Sequence, residues 1–572
     1  MDIRVFGENP DFPIKLSQKE EGGIIFVCVS AVCSRPAVPS KFRLEFDFPI
    51  VDCYSVWSPS MGTNRWLGPD WGCRRTASRI ASWMPVHQII SLSGKNRICI
   101  AVSDATTPID ITTGVCEEDA NLKCGVEFFT RPTAPLNEYS AVIRIDLRSI
   151  DYYDSIYDTV DWWEKDCGYA SSPVPEAARL PMDSLWYSFH QRLDVPKILS
   201  QCRLSKALGM ETVIIDDGWQ TDDNNRGYAF CGDWKVAEKK ISSMRCLVDS
   251  LHGIGMKVML WYSVPFVGVH SEKYSEFRDM LLDGTGDNRT FFALDPRYPE
   301  VRAYLTGVYS DAAESFGLDG LKLDFIDSFR LDGKSLEPDP RRDITSLEEA
   351  VDTLMSGIKS SLTAIRPDIL IEFRQSYVGP SIRKYGNMLR VGDCPADPIQ
   401  NRRGIVDLRF TSGKTAVHSD MLMWNPADPV ETAAVEIAST LYSVPQISVL
   451  IDSLPADHKK MLSFYLGFWR EYRDVLLDGK LTASHPEICY SLVCSEKDGC
   501  AVFTAYSENV VPVTTERAVA VNCTGTETLI LRSCSGKAYR VLNCMGDEIS
   551  KGTAAGDLFE VRVPTAGMVF VG

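Results

Sequence analysis

The sequence predicts an α/β protein: a central (β/α)8 TIM barrel flanked by an N-terminal antiparallel β-sandwich and a small C-terminal antiparallel β domain. Three observations carry this. Alternating β-branched and aromatic runs dominate up to residue 175, apolar strands then alternate with helical patterns as far as residue 480, and short alternating strands return after it. The implied domains are 1–175, 176–480 and 481–572.

In the first segment the runs 24–29, 42–48, 97–102, 126–129 and 141–147 alternate apolar with polar residues between turn-rich stretches, as strands of a sandwich do. An insert from Val56 to Pro85 carries Trp57, Trp66, Trp71 and Trp83 among Gly and Pro residues. It is either a loop packed under its own aromatics or a segment whose tip reaches over a neighbouring site.

After a Pro-rich joint at 172–175, eight strands are expected at 184–189, 212–216, 257–264, 320–325, 369–373, 388–392, 421–424 and 447–451. Helices fit at 195–208, 243–252 ending at Gly253, 298–316 ending at Gly317, and 346–365 before Pro367. Glycine suits a left-handed C-terminal cap, and proline suits termination. Such repetition favours a closed barrel over a doubly wound sheet. From about residue 485, strands at 488–493, 501–506, 519–522 and 559–563 form the last β domain.

The 572 residues carry 60 Lys and Arg against 77 Asp and Glu, a net charge of -17, which opposes a polyanionic partner; nucleic acid is not expected. No run reaches the length of a membrane span, and the first ten residues hold no signal-like apolar stretch, so a cytoplasmic protein that does not enter a bilayer is expected. The 18 Cys form no CxxC pair, and only His485 and Cys489 fall at zinc-ligand spacing without a second pair. No metal and no cofactor are expected, and the thiols fit a reducing compartment.

In a barrel the site lies at the C-terminal strand ends, so polar residues that end apolar runs are the candidates. In Gly320-Leu-Lys-Leu-Asp324, Lys322 and Asp324 share one strand face, and a buried Lys beside a carboxylate would hold it ionised, as an attacking group must be. A structural ion pair is the alternative. Asp216 and Asp217 end the run 212–215 and can accept from the hydroxyls of a polyol; Trp219 and Trp261 can offer apolar faces to a pyranose or simply pack the barrel. Asp393 ends the run 388–392, with Asp397 as its rival for an acid role or a helix N-terminal acid. Asp324 and Asp393 together supply the two carboxyl groups that glycosidic cleavage requires.

These segments, Thr212 to Trp219, Gly320 to Asp324 and Gly392 to Asp397, in that order resemble the glycoside hydrolase family 36 enzymes, retaining α-galactosidases and relatives that share a clan with family 27. The resemblance implies Asp324 as nucleophile, Asp393 as acid/base, and Asp216 and Asp217 as holders of the galactosyl 4- and 6-hydroxyls. It implies substrate contacts for Trp219, Trp261, Arg289, Lys322, Arg374 and Asp397 as well. The family's glycine-rich S-G-G-G-R segment is replaced here by Glu372-Phe-Arg-Gln-Ser-Tyr-Val-Gly379, in which Arg374 can stand in for a polar contact. On this reading Lys322 keeps Asp324 charged while a less compensated Asp393 holds its proton. The implied partner is an α-galactoside or oligosaccharide; the oligomeric state is open. The Asp-Asp-Gly-Trp-Gln220 spelling also resembles the raffinose-synthase branch, which makes galactosyl transfer an alternative. An α-N-acetylgalactosaminidase, an α-glucosidase, a metal-dependent barrel enzyme and a non-catalytic carbohydrate-binding protein are the others.

Overall fold

The structure is a computed structural model that describes residues 1–572 apart from 8, 283–287 and 332–336. The N-terminal part is a sandwich of a five-stranded and a six-stranded antiparallel sheet. Alternation along strands such as Ile24–Ala37 and Phe42–Pro49 turns Val27, Val29, Phe42, Leu44 and Phe46 into a common core with Ile98, Ile100 and Val126. A helix absent from the expectation, Tyr152–Lys165, follows the last sandwich strand. Its Trp163 indole donates to Val102 O (2.8 Å), and its Tyr152 and Tyr157 hydroxyls donate to Ala483 O and Leu481 O (2.7 and 3.0 Å), tying the sandwich to the C-terminal sheet.

Eight parallel strands close the barrel in chain order: β1 (Met182–Ser184), β2 (Thr212–Ile215), β3 (Lys257–Ser263), β4 (Gly320–Asp324), β5 (Leu370–Phe373), β6 (Met388–Arg390), β7 (Ala416–Leu422) and β8 (Val444–Ile447). Three strands differ from expectation. The strand expected at 184–189 ends at Ser184, and Leu185–Phe189 is helical, because a short apolar run suits either state. The seventh and eighth begin earlier than 421 and 447, since buried polar residues, His418, Ser419 and Asp420 in β7, disguise the strand. The helices around the barrel include α1 (Val195–Ala207), α2 (Met244–Ile254), α3 (Pro299–Phe316), α4 (Leu347–Ile365), α5 (Pro398–Thr411) and α6 (Val430–Ala438). The left-handed cap of α2 is Gly255 (φ 88°), not Gly253, which lies inside the helix; α3 ends on Gly317 (φ 73°).

The barrel interior is layered. Met182, Ile214, Met259, Leu370, Met388 and Ala416 form an apolar floor. Two residues further along each strand, on the same face, stand Ser184, Asp216, Trp261, Glu372, Arg390 and His418, joined by Lys322 two after Gly320. Gly320 is the one floor position without a side chain: a Cβ there would sit 2.6 Å from Leu370 Cβ.

The chain ends in a seven-stranded sheet and a three-stranded sheet. The strand expected at 488–493 is displaced to Leu492–Lys497, because Pro486–Ile488 forms a 3-10 turn and Cys489 and Tyr490 take left-handed backbone. Among the described residues, no helix is long and apolar enough to cross a membrane.

The tryptophan-rich insert is anchored by a buried network. Asp407 on α5 pairs with Arg65 (2.6 Å), accepts from the Trp57 indole (3.0 Å) and accepts from the Tyr490 hydroxyl. Tyr490 in turn accepts from Arg65 (2.9 Å) and from Trp57 (3.0 Å). Trp83 N–H donates to Ser376 O, while Trp66 and Trp71 lie exposed.

Candidate active site

The C-terminal strand ends converge on five aspartates, Asp216, Asp217, Asp324, Asp393 and Asp420, and three cations, Lys322, Arg374 and Arg390. On β4 the pleat brings Lys322 and then Asp324 inward, and the chain leaves the strand through Phe325 in left-handed backbone (φ 65°). Gln375, just past β5, is also left-handed (φ 55°). Non-glycine residues in that region cost of order 1–3 kcal/mol each, and the two flank the Asp324–Arg374 contact.

Asp324 is 1% exposed, and both its oxygens are fully engaged. Oδ1 accepts from Arg374 Nε (2.8 Å), Phe325 N–H (2.9 Å) and the Tyr377 hydroxyl; Oδ2 accepts from Arg374 Nη2 (2.7 Å) and the Trp261 indole (2.9 Å). Burial opposes its charge, yet the Arg374 guanidinium, then the Lys322 ammonium and the hydrogen bonds from Arg374 and Tyr377, hold it below the ordinary carboxylate value. It is an ionised carboxylate at neutral pH.

Lys322 does not bond Asp324. Its ammonium bonds Asp216 Oδ2 (2.6 Å), so the main counter-ion of the proposed nucleophile is Arg374 and the sequence expectation is corrected on this point. Asp217 accepts from Gln191 (2.7 Å) and Gln220 (2.7 Å), and burial, with the Asp216 charge beside it, pushes its carboxyl up to about 6. Gly218 (φ 113°) lets Gln191 approach: a Cβ there would lie 2.5 Å from Gln191 Cα.

Asp393 faces Asp324 across a single guanidinium. Arg374 Nη1 bonds its Oδ2 (2.8 Å), and Arg390 Nη2 bonds its Oδ1 (2.9 Å). The expectation of a weakly compensated, protonated Asp393 is therefore overturned: burial raises its carboxyl, but Arg390, then Arg374 and Lys322, hold it well below the usual range. Its side chain remains 42% exposed. Arg390 is shared with Asp420 and lies 3.6 Å from Glu372. Asp393, Gly392, Cys394 and Gln375 border a cleft of about 210 Å³ that is also lined by α5, from Gln400 to Leu408, and by Pro59 and Trp83 of the insert, so part of that insert lies beside Asp393. The larger cavity of about 760 Å³ lies at the other end, by the starts of β7 and β8.

Two expected contacts fall elsewhere, those of Trp219 and Asp397. Trp219 is fully buried against Trp234 and Tyr262, with its indole donating to Trp261 O, so it packs the wall and offers no face to a sugar. Asp397 caps α5 by accepting from Gln400 N–H (2.9 Å). Arg289 is exposed. Trp261 stays in the site, but its indole N–H orients Asp324 while Tyr228 stacks on its ring. Tyr377, Gln191, Gln220, Arg390, Glu372 and Asp420 were not foreseen. The period-2 pattern of β5 to β7, with a polar residue every second position after the floor, is the signal that marks Glu372, Arg390 and Asp420.

Residues 184–374 match the Melibiase family model, a span that includes Asp216, Asp217, Lys322 and Asp324. An α-galactosidase of Lactobacillus acidophilus is 28% identical over 148 residues, 25% of this chain and 19% of that protein. The α-galactosidase AgaA of Geobacillus stearothermophilus is 26% identical over 197 residues, 33% of this chain and 26% of that protein. These matches thus span about a fifth to a quarter of the relatives' own length. In fold, structures of AgaA variants with raffinose and with stachyose superpose on 98% and 100% of this chain, covering 81% and 86% of theirs (TM-scores 0.64 and 0.61; 14% and 13% identity). An α-galactosidase of Lactobacillus brevis covers all of this chain with 84% of its own (TM-score 0.65; 14% identity). In sequence over residues 184–374 and in fold over the whole chain, the protein is like the glycoside hydrolase family 36 α-galactosidases.

Proposed function

We propose that the protein is a retaining α-galactosidase that hydrolyses terminal α-galactosides of oligosaccharides by double displacement. The observation that carries the reading is the pair Asp324 and Asp393, facing each other across one guanidinium at the C-terminal rim of a closed barrel whose sequence matches the melibiase model. Asp324, ionised and oriented by Trp261 and Tyr377, attacks the anomeric carbon. Asp393 borders the open cleft, the side from which a leaving group departs and water enters; it protonates the glycosidic oxygen and then takes the proton of the incoming water. Asp216 and Asp217, on the adjacent strand end, are the acceptors for sugar hydroxyls. Raffinose and stachyose, bound by the structural relatives, define the substrate class to try first.

A reducing, cytoplasmic setting is supported by 18 cysteines that are all free thiols. The test is a panel of aryl α-glycosides with NMR of the first-formed anomer: the galactoside is expected to turn over fastest and release α-galactose first. Asp324→Ala is expected to abolish turnover, with azide restoring part of it as the β-galactosyl azide. Preference for another sugar, or release of the β-anomer, would overturn the proposal.

A further inference from the structure

We infer that Arg374 is a positioning clamp displaced by substrate: its guanidinium fills the sugar position between the two carboxylates of the free enzyme, and entry of the hexose breaks both bridges and lets Asp393 take up the proton it must donate. This rests on the assignment of Asp324 and Asp393 above.

Three features of the site argue for it. First, Arg374 covers Asp324, which is buried beneath it. The guanidinium engages Asp324 through Nε and Nη2 and Asp393 through Nη1, the Gln375 amide oxygen accepts from it in the orientation that satisfies both groups (2.7 Å), and Arg374 is itself 5% exposed. The cleft reaches Asp393 and Gln375 but not Asp324. An attacking oxygen with every lone pair committed to donors is a poor nucleophile until one donor leaves.

Second, the acid form is suppressed in this arrangement. Asp393 is faced by Arg390 from β6, Arg374 from beyond β5, Lys322 from β4, Asp420 from β7 and Tyr187 from the helix Leu185–Phe189. Arg390, the other direct cation of Asp393, is held in place by Asp420 and lies beside Glu372, so of the two it is Arg374 that can withdraw, and its withdrawal shifts the balance toward the protonated acid.

Third, Arg374 sits where movement is local. It is the first residue beyond β5, and Phe325 lies under its guanidinium (5.3 Å) as an apolar platform along which the side chain can retract. Arg374 lies within the segment Glu372 to Gly379, just beyond the strand end.

The test compares two pH profiles on an alkyl α-galactoside, whose leaving group needs an acid. The profile of kcat/KM reports the free enzyme, and that of kcat reports the complex. In the wild type the alkaline limb of kcat/KM is expected at least about one unit below that of kcat, the size of shift one adjacent cation produces. In Arg374→Met the two limbs should coincide, and in Arg374→Lys, whose ammonium cannot span both carboxylates, the gap should be intermediate. α-Galactosyl fluoride, which leaves without protonation, should show no gap in any of the three. Because Arg374→Met leaves Asp324 without its cation and can fail to fold, a crystal complex of the wild type with 1-deoxygalactonojirimycin gives a second reading: Arg374 is expected beyond hydrogen-bond distance of both aspartates. Coincident limbs in the wild type, or the sugar mimic bound with both bridges intact, would overturn the clamp alone. Failure to turn over the fluoride together with failure to bind the mimic would overturn the galactosidase reading, and the clamp with it.

Discussion

Replacing Asp407 by Ala should destabilise the protein by about 3–5 kcal/mol, because it leaves the Arg65 charge buried without its carboxylate. Arg65 is fully buried and Asp407 nearly so, and their contact is 2.6 Å. The loss should not exceed that range. The Trp57 indole and Arg65 Nη1 each retain the Tyr490 hydroxyl as an acceptor, at 3.0 and 2.9 Å, so neither donor is wholly orphaned. For a cooperative unit of barrel size this corresponds to a fall of about 5 to 8 °C in the first thermal transition. Differential scanning calorimetry measures it, and limited proteolysis shows whether the insert is the part released; the first transition is the proper quantity, since a chain of several domains need not unfold in one step. Arg403 also bonds Asp407 (3.1 Å) but is partly exposed, so the double variant Arg65→Met with Asp407→Leu, which removes the buried pair, should recover most of the loss. A single variant that costs less than about 1 kcal/mol, or a double variant no better than the single, would refute the idea that this ion pair holds the insert to the barrel.

Trp261→Phe removes one hydrogen bond to the ionised Asp324 and should lower kcat/KM on an aryl galactoside about 10- to 100-fold with an unchanged circular dichroism spectrum; less than a twofold change would remove Trp261 from the orienting role. Asp217 titrates near 6 in the folded protein against about 4 in the unfolded chain, so the folded state binds the extra proton between those values and gains stability as the pH falls through them. Urea melts of the wild type and Asp217→Asn should therefore show a difference that moves toward the wild type by about 2 kcal/mol from pH 7 to pH 4.5; movement the other way contradicts the assigned burial. In Gly379→Ala the new Cβ would meet Trp83 O at 2.2 Å, and backbone cannot yield cheaply there. The variant should lose about 1–3 kcal/mol and become more easily cleaved within the insert, and a melt and proteolysis pattern like the wild type would show that the contact is dispensable.

Much of this was legible because strand periodicity and strand ends are local properties. The runs that become β2 to β6 stand out as short apolar stretches, and Asp216, Lys322, Asp324 and Asp393 are conspicuous as charges placed where apolar runs stop. The start of β7 is hidden in the sequence because His418 and Asp420, buried and hydrogen-bonded in the barrel, look like loop residues when their partners are unseen. The same blindness affected the charges. Lys322 stands two residues from Asp324 in the chain, yet its partner is Asp216 on β2, and the cation that controls both carboxylates comes from beyond β5. Residue type and spacing reveal that a charge is buried; only the closed sheet decides which neighbour compensates it. Trp219 failed as a sugar platform for a related reason, since Trp234 and Tyr262, distant or unremarkable in sequence, cover its faces.

The cleft beside Asp393 has one wall from the barrel and one from a segment more than 300 residues earlier in the chain, Pro59 and Trp83. The two walls thus come from segments far apart in the chain. Swapping the tryptophan-bearing segment between homologues should retune which aglycones or acceptors are tolerated while leaving the recognised monosaccharide alone, a modular route to new linkages that does not touch the reacting groups.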